Sequence, residues 1–495
     1  MYMLYKSTRG ISKKITSPYA ILNGIAEDGG LYVPEELPKL DKDIKDLVAY
    51  SYQELALYII SLFFPEFSQE ELKIAISDAY DESFSDQQIT PTVKVGDLYF
   101  LELFHGPTLA FKDIALTLLP KLIELSALRD KSKKQPVVLT ATSGDTGKAA
   151  LQGFAGVNGV KIIVFYPEDG VSPIQKLQMI TQEGNNTSVI GIKGNFDDAQ
   201  KGVKELFKNE PLKEKLADKG YFFTSANSIN IGRLVPQVVY YFYSYLSLLR
   251  NKEIQPGEEI NFAVPTGNFG DIFAGYYAKL MGLPVNKLIC ASNENNVLYH
   301  FFNNGIYDSR RELKTTTSPS MDILISSNLE RLLYEISERD SEATKNLMEE
   351  LSQKGFYKLT DKIKAGLKDF YSNFALEEEV ASTIYSLYKS TGYLMDTHTA
   401  VAYSVLKKYK EDCKDSTKTV ILSTASPFKF SKALCSALDI ELSEKDIFEA
   451  SYKLSEASGI PIPKAIEELK EKPILHKASC TPEEMKIKVQ NILNI

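Results

Sequence analysis

Two stretches of this chain run from a β-branched apolar segment, through a glycine loop, directly into an apolar helix pattern. Val137-Val138-Leu139-Thr140 leads into Thr142-Ser143-Gly144-Asp145-Thr146-Gly147 and a helix from Lys148. Asn261 to Val264 leads into Pro265-Thr266-Gly267-Asn268-Phe269-Gly270-Asp271 and a helix from Ile272 to Leu280. A strand that hands over to a helix brings the chain back to lay its next strand parallel to the first, and parallel sheets are covered on both faces. Further β-branched runs fit the scheme: Lys161 to Tyr166, Val189 to Ile192, Phe222-Phe223, Leu288 to Ala291 and Thr419 to Leu422. The pattern predicts an α/β chain with doubly wound sheets. It also marks the loops as anion sites, because a glycine turn at a helix start leaves N–H groups unpaired at the positive end of the helix dipole.

At 495 residues the chain has room for two or three domains of roughly 150 residues each. Its 25% charged content is that of a soluble globular protein, and a formal net charge of −8 leaves no basic excess for nucleic acid or an anionic membrane. The expected partner is a small molecule. Cys290, Cys413, Cys435 and Cys480 form no CxxC pair, and His105, His300, His398 and His476 form no HExxH. Neither a disulfide framework nor a metal site is expected. The start, MYMLYKSTRG, is too poor in apolar residues for a signal peptide, and no stretch reaches membrane-spanning length, so a cytoplasmic protein is expected.

Residues 1–95 read as an N-terminal, mainly helical region. Ser51-Tyr52-Gln53-Glu54 and Ser68-Gln69-Glu70-Glu71 are capping boxes, each followed by apolar residues at helical spacing. Val93 to Leu103 alternates around Gly96-Asp97, a hairpin turn. Then comes Phe104-His105-Gly106-Pro107-Thr108-Leu109-Ala110-Phe111-Lys112-Asp113, ahead of an apolar helix from Ile114 to Leu125. Lys112 stands between Phe111 and Ile114. Desolvation there favours the neutral amine and hence a nucleophile or Schiff-base lysine; the plain alternative is a surface lysine in a first helical turn. No Gly/Ser linker interrupts the chain, which predicts interleaved domains: 96–134 with 240–495 as a larger α/β domain, and 135–239 as a smaller one. Residues 340–410 read as mostly helical, and Thr481-Pro482-Glu483-Glu484 opens a last helix.

Nucleotide motifs do not account for the loops. Ser143 to Ala149 ends like a P-loop, but Thr142 stands where a glycine is required and Ala149 where Ser or Thr would hold magnesium. Gly267-Asn268-Phe269-Gly270 is not GxGxxG. Pyridoxal phosphate suits the set better. It needs a lysine, a backbone nest for its phosphate and a partner for its pyridine nitrogen, for which Thr424 at the end of a late strand is a candidate. The second loop could then hold an anionic substrate.

His105 to Asp113 resembles the pyridoxal-lysine signature of the threonine synthase family, within the fold-type II pyridoxal enzymes. Asp28 to Pro34, Thr142 to Gly147, Asn227 to Asn230 with Gly232-Arg233, Pro265 to Ile272, Ser318 to Leu324, His398 to Ala402 and Thr424-Ala425 with Pro427 also resemble family motifs, in family order. The resemblance covers nearly the whole chain and is closest to the bacterial and fungal branch. It implies two α/β domains with the active site between them. It implies that Lys112 carries the cofactor covalently and moves protons, that Gly267, Asn268, Phe269, Gly270 and Asp271 cradle the cofactor phosphate, and that Thr424 meets the pyridine nitrogen. Ser143, Asp145 and Thr146, with Asn230 and Arg233, would face the substrate. Ser426, Ile231 and Phe428 depart from the pattern, which usually has His, Trp and Ala there. The implied reaction converts O-phospho-L-homoserine and water to L-threonine and phosphate, by a monomer whose smaller domain closes over the substrate. The rivals are a phospho-lyase of the same fold giving 2-oxobutyrate, and a non-catalytic binding protein.

Overall fold

The computed structural model describes residues 2–10, 14–142, 144–169, 171–443 and 446–495, and only the backbone of Asp197. Sixteen strands are named here in chain order. β1 (Leu4–Ser7), β2 (Ile15–Thr16) and β3 (Tyr32–Pro34) form a small antiparallel sheet, order β2-β1-β3. β4 (Thr92–Val95), β5 (Leu98–Glu102), β10 (Ile260–Pro265), β11 (Val285–Ser292), β14 (Phe370–Phe374) and β15 (Thr419–Ser423) form the larger sheet, order β14-β11-β10-β15-β5-β4. Every neighbour pair in it is parallel except the β4–β5 hairpin. β6 (Gln135–Ala141), β7 (Lys161–Pro167), β8 (Thr187–Ile192), β9 (Tyr221–Thr224) and β16 (Ala478–Cys480) form the smaller, wholly parallel sheet, order β16-β8-β7-β6-β9. β12 (Ile306–Asp308) and β13 (Phe356–Lys358) pair as a separate antiparallel ribbon.

The doubly wound reading holds, and its physical cause is visible in the strands. β10 is buried along its whole length, as a strand covered on both faces must be. The helix Ile231–Arg250 is largely apolar and buried from Ile231 to Leu248, with Arg233 and Gln237 among its buried residues. It packs between the N-terminal helix Tyr52–Phe63 and the helix Gly270–Met281 that follows β10. Both N-terminal capping boxes form, Ser51 with Glu54 and Ser68 with Glu71.

The structure departs from the sequence pattern in four places. Residues 1–95 open with strands rather than helices, since β1 is short and pairs only locally. Ile114 to Leu125 is not one helix but two, Lys112–Leu116 and Leu119–Ala127, because Pro120 has no N–H to continue a helix and begins a new one. β14, inside the stretch read as mostly helical, forms an edge of the larger sheet. Residues 478–493, assigned to the larger domain, return to the smaller one: β16 pairs with β8, and Met485, Val489 and Leu493 of the helix Met485–Leu493 join its core. Among the described residues no helix is long and apolar enough to cross a membrane.

Candidate active site

Lys112 opens a short helix at the C-terminal edge of the larger sheet. The turn before it closes on Asp113, whose carboxylate accepts from the Thr108 backbone N–H and hydroxyl. Gly106 is obligatory there: a Cβ would lie 2.5 Å from Asp113 Cβ. The Phe111 N–H donates to the Thr424 carbonyl at 2.9 Å and the Ser426 N–H to the Leu109 carbonyl at 3.0 Å. Because β5, β15 and β10 are adjacent and parallel, Lys112, Thr424 and the loop after β10 all emerge at one edge, where α/β sheets bind ligands.

The Lys112 amine lies 3.1 Å from Ser320 Oγ and 3.4 Å from Asp145 Oδ2. Asp145 comes from the first glycine loop, in the smaller domain. Its other oxygen takes the Lys429 ammonium at 2.7 Å and the Gln175 amide at 2.9 Å. Lys429 also donates to the Thr108 carbonyl, 2.9 Å away. Burial pushes the Lys112 amine towards its neutral form; Asp145 opposes this, while Lys429 and Arg233 add to it. Burial alone would raise the Asp145 carboxyl, but Lys429, Lys112 and Gln175 outweigh it and hold the group well below the usual carboxylate range. Arg233 is buried, with one Nη donating to the Ala226 carbonyl and Nε without a partner. Burial lowers it to about 10, which still leaves it charged. The cluster thus gathers Lys112, Lys429 and Arg233 around Asp145, with the buried Asp113 carboxyl also within reach of the Lys429 charge.

The two glycine loops differ. In the first, Thr142 Oγ1 accepts the N–H groups of Gly144 at 3.0 Å and Gly147 at 2.8 Å, so part of the expected nest is spent within the loop. Gly144 has φ +137, and a Cβ on it would meet Gln175 at 2.6 Å. Thr146 is half-buried in the first helical turn beside Asp145. Ser143 lies outside the described residues. In the second loop Phe269 takes the left-handed conformation, φ 63, and caps the twelve-residue helix Gly270–Met281. Ser326 Oγ donates to the Gly267 carbonyl at 2.6 Å; Asn328 donates to the Asn268 carbonyl through its backbone N–H at 3.0 Å and Nδ2 at 3.1 Å. In a trans peptide the carbonyl and the next N–H point opposite ways. With these carbonyls held towards 326–328, the N–H groups of Asn268 and Phe269 are turned away from it. A Cβ on Gly267 would lie 2.8 Å from the Ser320 carbonyl, so the loop touches the segment that touches Lys112. The Asp271 carboxyl points elsewhere, accepting from the Tyr240 and Tyr241 hydroxyls at 2.5 and 2.8 Å; burial raises it to about 6.

Asn230 caps the helix that carries Arg233. Its oxygen accepts the Gly232 N–H and its amide donates to the Ile21 and Ser225 carbonyls, so the carboxamide expected to meet a substrate is occupied within the fold. Thr424 is buried one residue beyond the end of β15.

Three residues of the site had been given no role. Ser320 sits on a loop pinned by Asp322, which accepts from Asn293, Asn295 and Thr316. The Ser320 N–H donates to His398 Nε2 at 3.2 Å, which makes Nδ1 the protonated nitrogen, donating to Asp396 at 2.9 Å. Ser320 and His398 both lie in the motifs quoted above. Lys429 left only a faint signal, a lysine just beyond the turn that ends a late strand.

A parallel sheet edge carrying a buried lysine of depressed proton affinity, a helix-start nest and a surplus of cations defines a pyridoxal-phosphate dependent enzyme, and the family model of that description matches residues 87–358. On either side, models described as threonine synthase N terminus and threonine synthase, C-terminal match residues 4–80 and 399–475. The chain belongs to the threonine synthase family. It is 38% identical to threonine synthase of Saccharomyces cerevisiae over 88% of this chain and 89% of that one. It is 38% identical to threonine synthase of Pseudomonas aeruginosa over 87% and 90%. The crystal structure of pyridoxal-phosphate-bound threonine synthase from Brucella melitensis superposes with a TM-score of 0.88, 36% identity and 99% of each chain covered.

Proposed function

We propose that this chain converts O-phospho-L-homoserine and water to L-threonine and phosphate. The observation that carries the reading is the cation surplus around Asp145, with Arg233 Nε left unpartnered: a buried site so charged is completed by an anion, and a phosphorylated amino acid supplies two.

The residues fit pyridoxal phosphate. Gly267, Asn268, Phe269, Gly270 and Asp271 would take its phosphate on backbone N–H groups at a helix start, a position where Gly267 leaves no room for a side chain. Thr424 would give its ring nitrogen a neutral partner. Lys112 would hold its aldehyde carbon. When bound, the cofactor supplies a conjugated system that accepts electrons from the substrate's Cα. The chain's own groups do the rest. Lys112, whose charged form burial and Lys429 disfavour, takes the Cα proton and returns it later. Asp145 and Ser320 hold the amine between transfers. Arg233 binds the leaving phosphate, and Asn230 acts by fixing the helix that presents Arg233. Closure of the smaller domain would admit one water and exclude the rest. Four free thiols suit a reducing cytoplasm, and the reading takes the protein as a monomer.

Supplying O-phospho-L-homoserine to the purified protein and identifying the carbon product tests this. Threonine with stoichiometric phosphate is expected. 2-Oxobutyrate without threonine would replace the reading by a phospho-lyase, and a protein that stays colourless with added pyridoxal phosphate would remove the cofactor.

A further inference from the structure

Arg331 is fully buried, and among the described residues it has no salt bridge. Its guanidinium spans three separate segments. Nε and Nη2 donate to the Tyr32 carbonyl at 3.2 and 3.1 Å, Nη2 to the Ile229 carbonyl at 2.5 Å, and Nη1 to Asn328 Oδ1. Tyr32 belongs to the Asp28–Pro34 motif of the N-terminal region, and Ile229 immediately precedes Asn230, the cap of the Arg233 helix. Asn328 is the residue that holds the Asn268 carbonyl by two donors.

The chemistry of that contact fixes a direction. A guanidinium offers only donors, so the carboxamide oxygen of Asn328 must face Arg331 and its NH2 must face Asn268. A flipped amide would set donor against donor on one side and acceptor against acceptor on the other. The second of the two donors that orient the Asn268–Phe269 peptide, and with it the Phe269 N–H at the helix start, therefore depends on Arg331. A planar fork holds these hydrogen bonds in fixed directions, whereas an ammonium's three donors turn freely on a flexible stem.

We propose that Arg331, acting through Asn328, is a positioning residue for the phosphate end of the cofactor, and that it locks this cradle to the helix presenting Arg233. The proposal rests on the pyridoxal-phosphate reading above. Its test uses the full-length protein, stripped of cofactor, and compares rebinding of pyridoxal phosphate with that of pyridoxal, which lacks the phosphate. The first variant is Arg331→Met. The second is Asn328→Asp, which keeps an oxygen for Arg331 but sets an acceptor against the Asn268 carbonyl, so the buried arginine stays satisfied while only the backbone N–H still holds that carbonyl.

Each variant is expected to weaken pyridoxal phosphate by about tenfold or more, the loss of one or two buried hydrogen bonds, with pyridoxal affinity unchanged. For Asn328→Asp the melting temperature of the stripped protein stays near that of the parent. Loss of both ligands in equal measure by Asn328→Asp would show general loosening and overturn the proposal, as would parent-like affinity for pyridoxal phosphate in both variants. A parent that binds neither ligand would instead overturn the cofactor reading on which the proposal stands.

Discussion

Lys429 and Lys112 approach opposite oxygens of Asp145, one at 2.7 Å from Oδ1 and the other at 3.4 Å from Oδ2. The carboxylate is therefore shared, and the closer partner is Lys429, from the turn after β15. The arrangement leaves Lys112 less firmly paired than a lone lysine–aspartate pair would, in surroundings that already disfavour its charge.

Lys429→Met should therefore change when Lys112 works as well as how fast. Removing Lys429 relieves a repulsion that lowers Lys112 and frees Asp145 to pair with it, and both effects raise its proton affinity. The acid limb of the kcat profile, which reports the substrate complex with the Lys112 amine released, should move up by on the order of one pH unit. A uniform fall in activity with the limb in place would contradict this.

Asp145→Asn leaves Lys112, Lys429 and Arg233 buried without that carboxylate. We expect a loss of about 3–5 kcal/mol in urea unfolding, the usual result of orphaning buried charge. Inorganic phosphate should restore more stability to this variant than to the parent, because an anion bound only by the folded state stabilises it. Equal phosphate gains in the two proteins would refute the charge argument.

Gly267→Ala places a methyl group 2.8 Å from the Ser320 carbonyl, a backbone atom that cannot swing aside. Either the nest or the Ser320 loop must shift. Stability should fall by about 1–3 kcal/mol and cofactor affinity should drop with it; unaltered cofactor binding by absorbance would show that the approach is looser than described.

Asp271→Asn carries a pH signature. Burial raises the Asp271 carboxyl from 3.8 to about 6. Below the lower value the group is protonated in both folded and unfolded chains and costs nothing. Between the two the unfolded chain ionises first, so stability falls as pH rises, and the loss is complete above the upper value, at about 3 kcal/mol. Asparagine still accepts from Tyr240 or Tyr241 and has no such loss. The stability of the variant relative to the parent should grow from about pH 4 to pH 7, and a difference that does not change with pH would exclude a raised carboxyl.

Lys112→Ala should abolish turnover and the cofactor trapped by borohydride reduction while the fold persists, since the residue opens a helix rather than filling the core. Turnover within about tenfold of the parent would remove its assigned role.

Much of this was legible in the chain. Strand runs such as Val137 to Thr140 and Asn261 to Val264 announce buried parallel strands by local composition, and Lys112 is marked by its apolar neighbours. Contacts between residues far apart in sequence were not legible. Lys429 meets Asp145 only because the turn after β15 reaches the first glycine loop, and no local pattern encodes that meeting. Arg331 lies in an ordinary helix Leu329–Ile336, and its importance comes from three carbonyl-type partners, none of which has a side-chain signature pointing back to it. The first glycine loop misled in the other direction: its composition suggests an open nest, but Thr142 claims two of its N–H groups.

The edge strand β16 has a consequence for how the protein is made. β8 lies at the rim of the smaller sheet until residues 478–480, made after all the strands of the larger sheet, arrive to pair with it. Throughout synthesis of the larger domain, the smaller sheet therefore stands with an unpaired hydrogen-bonding edge beside hydrophobic core positions that Met485 and Val489 will cover. Biogenesis is thus exposed to strand exchange between nascent chains at a site remote from catalysis, and lesions confined to the last helix would be felt first as poor yield of folded protein.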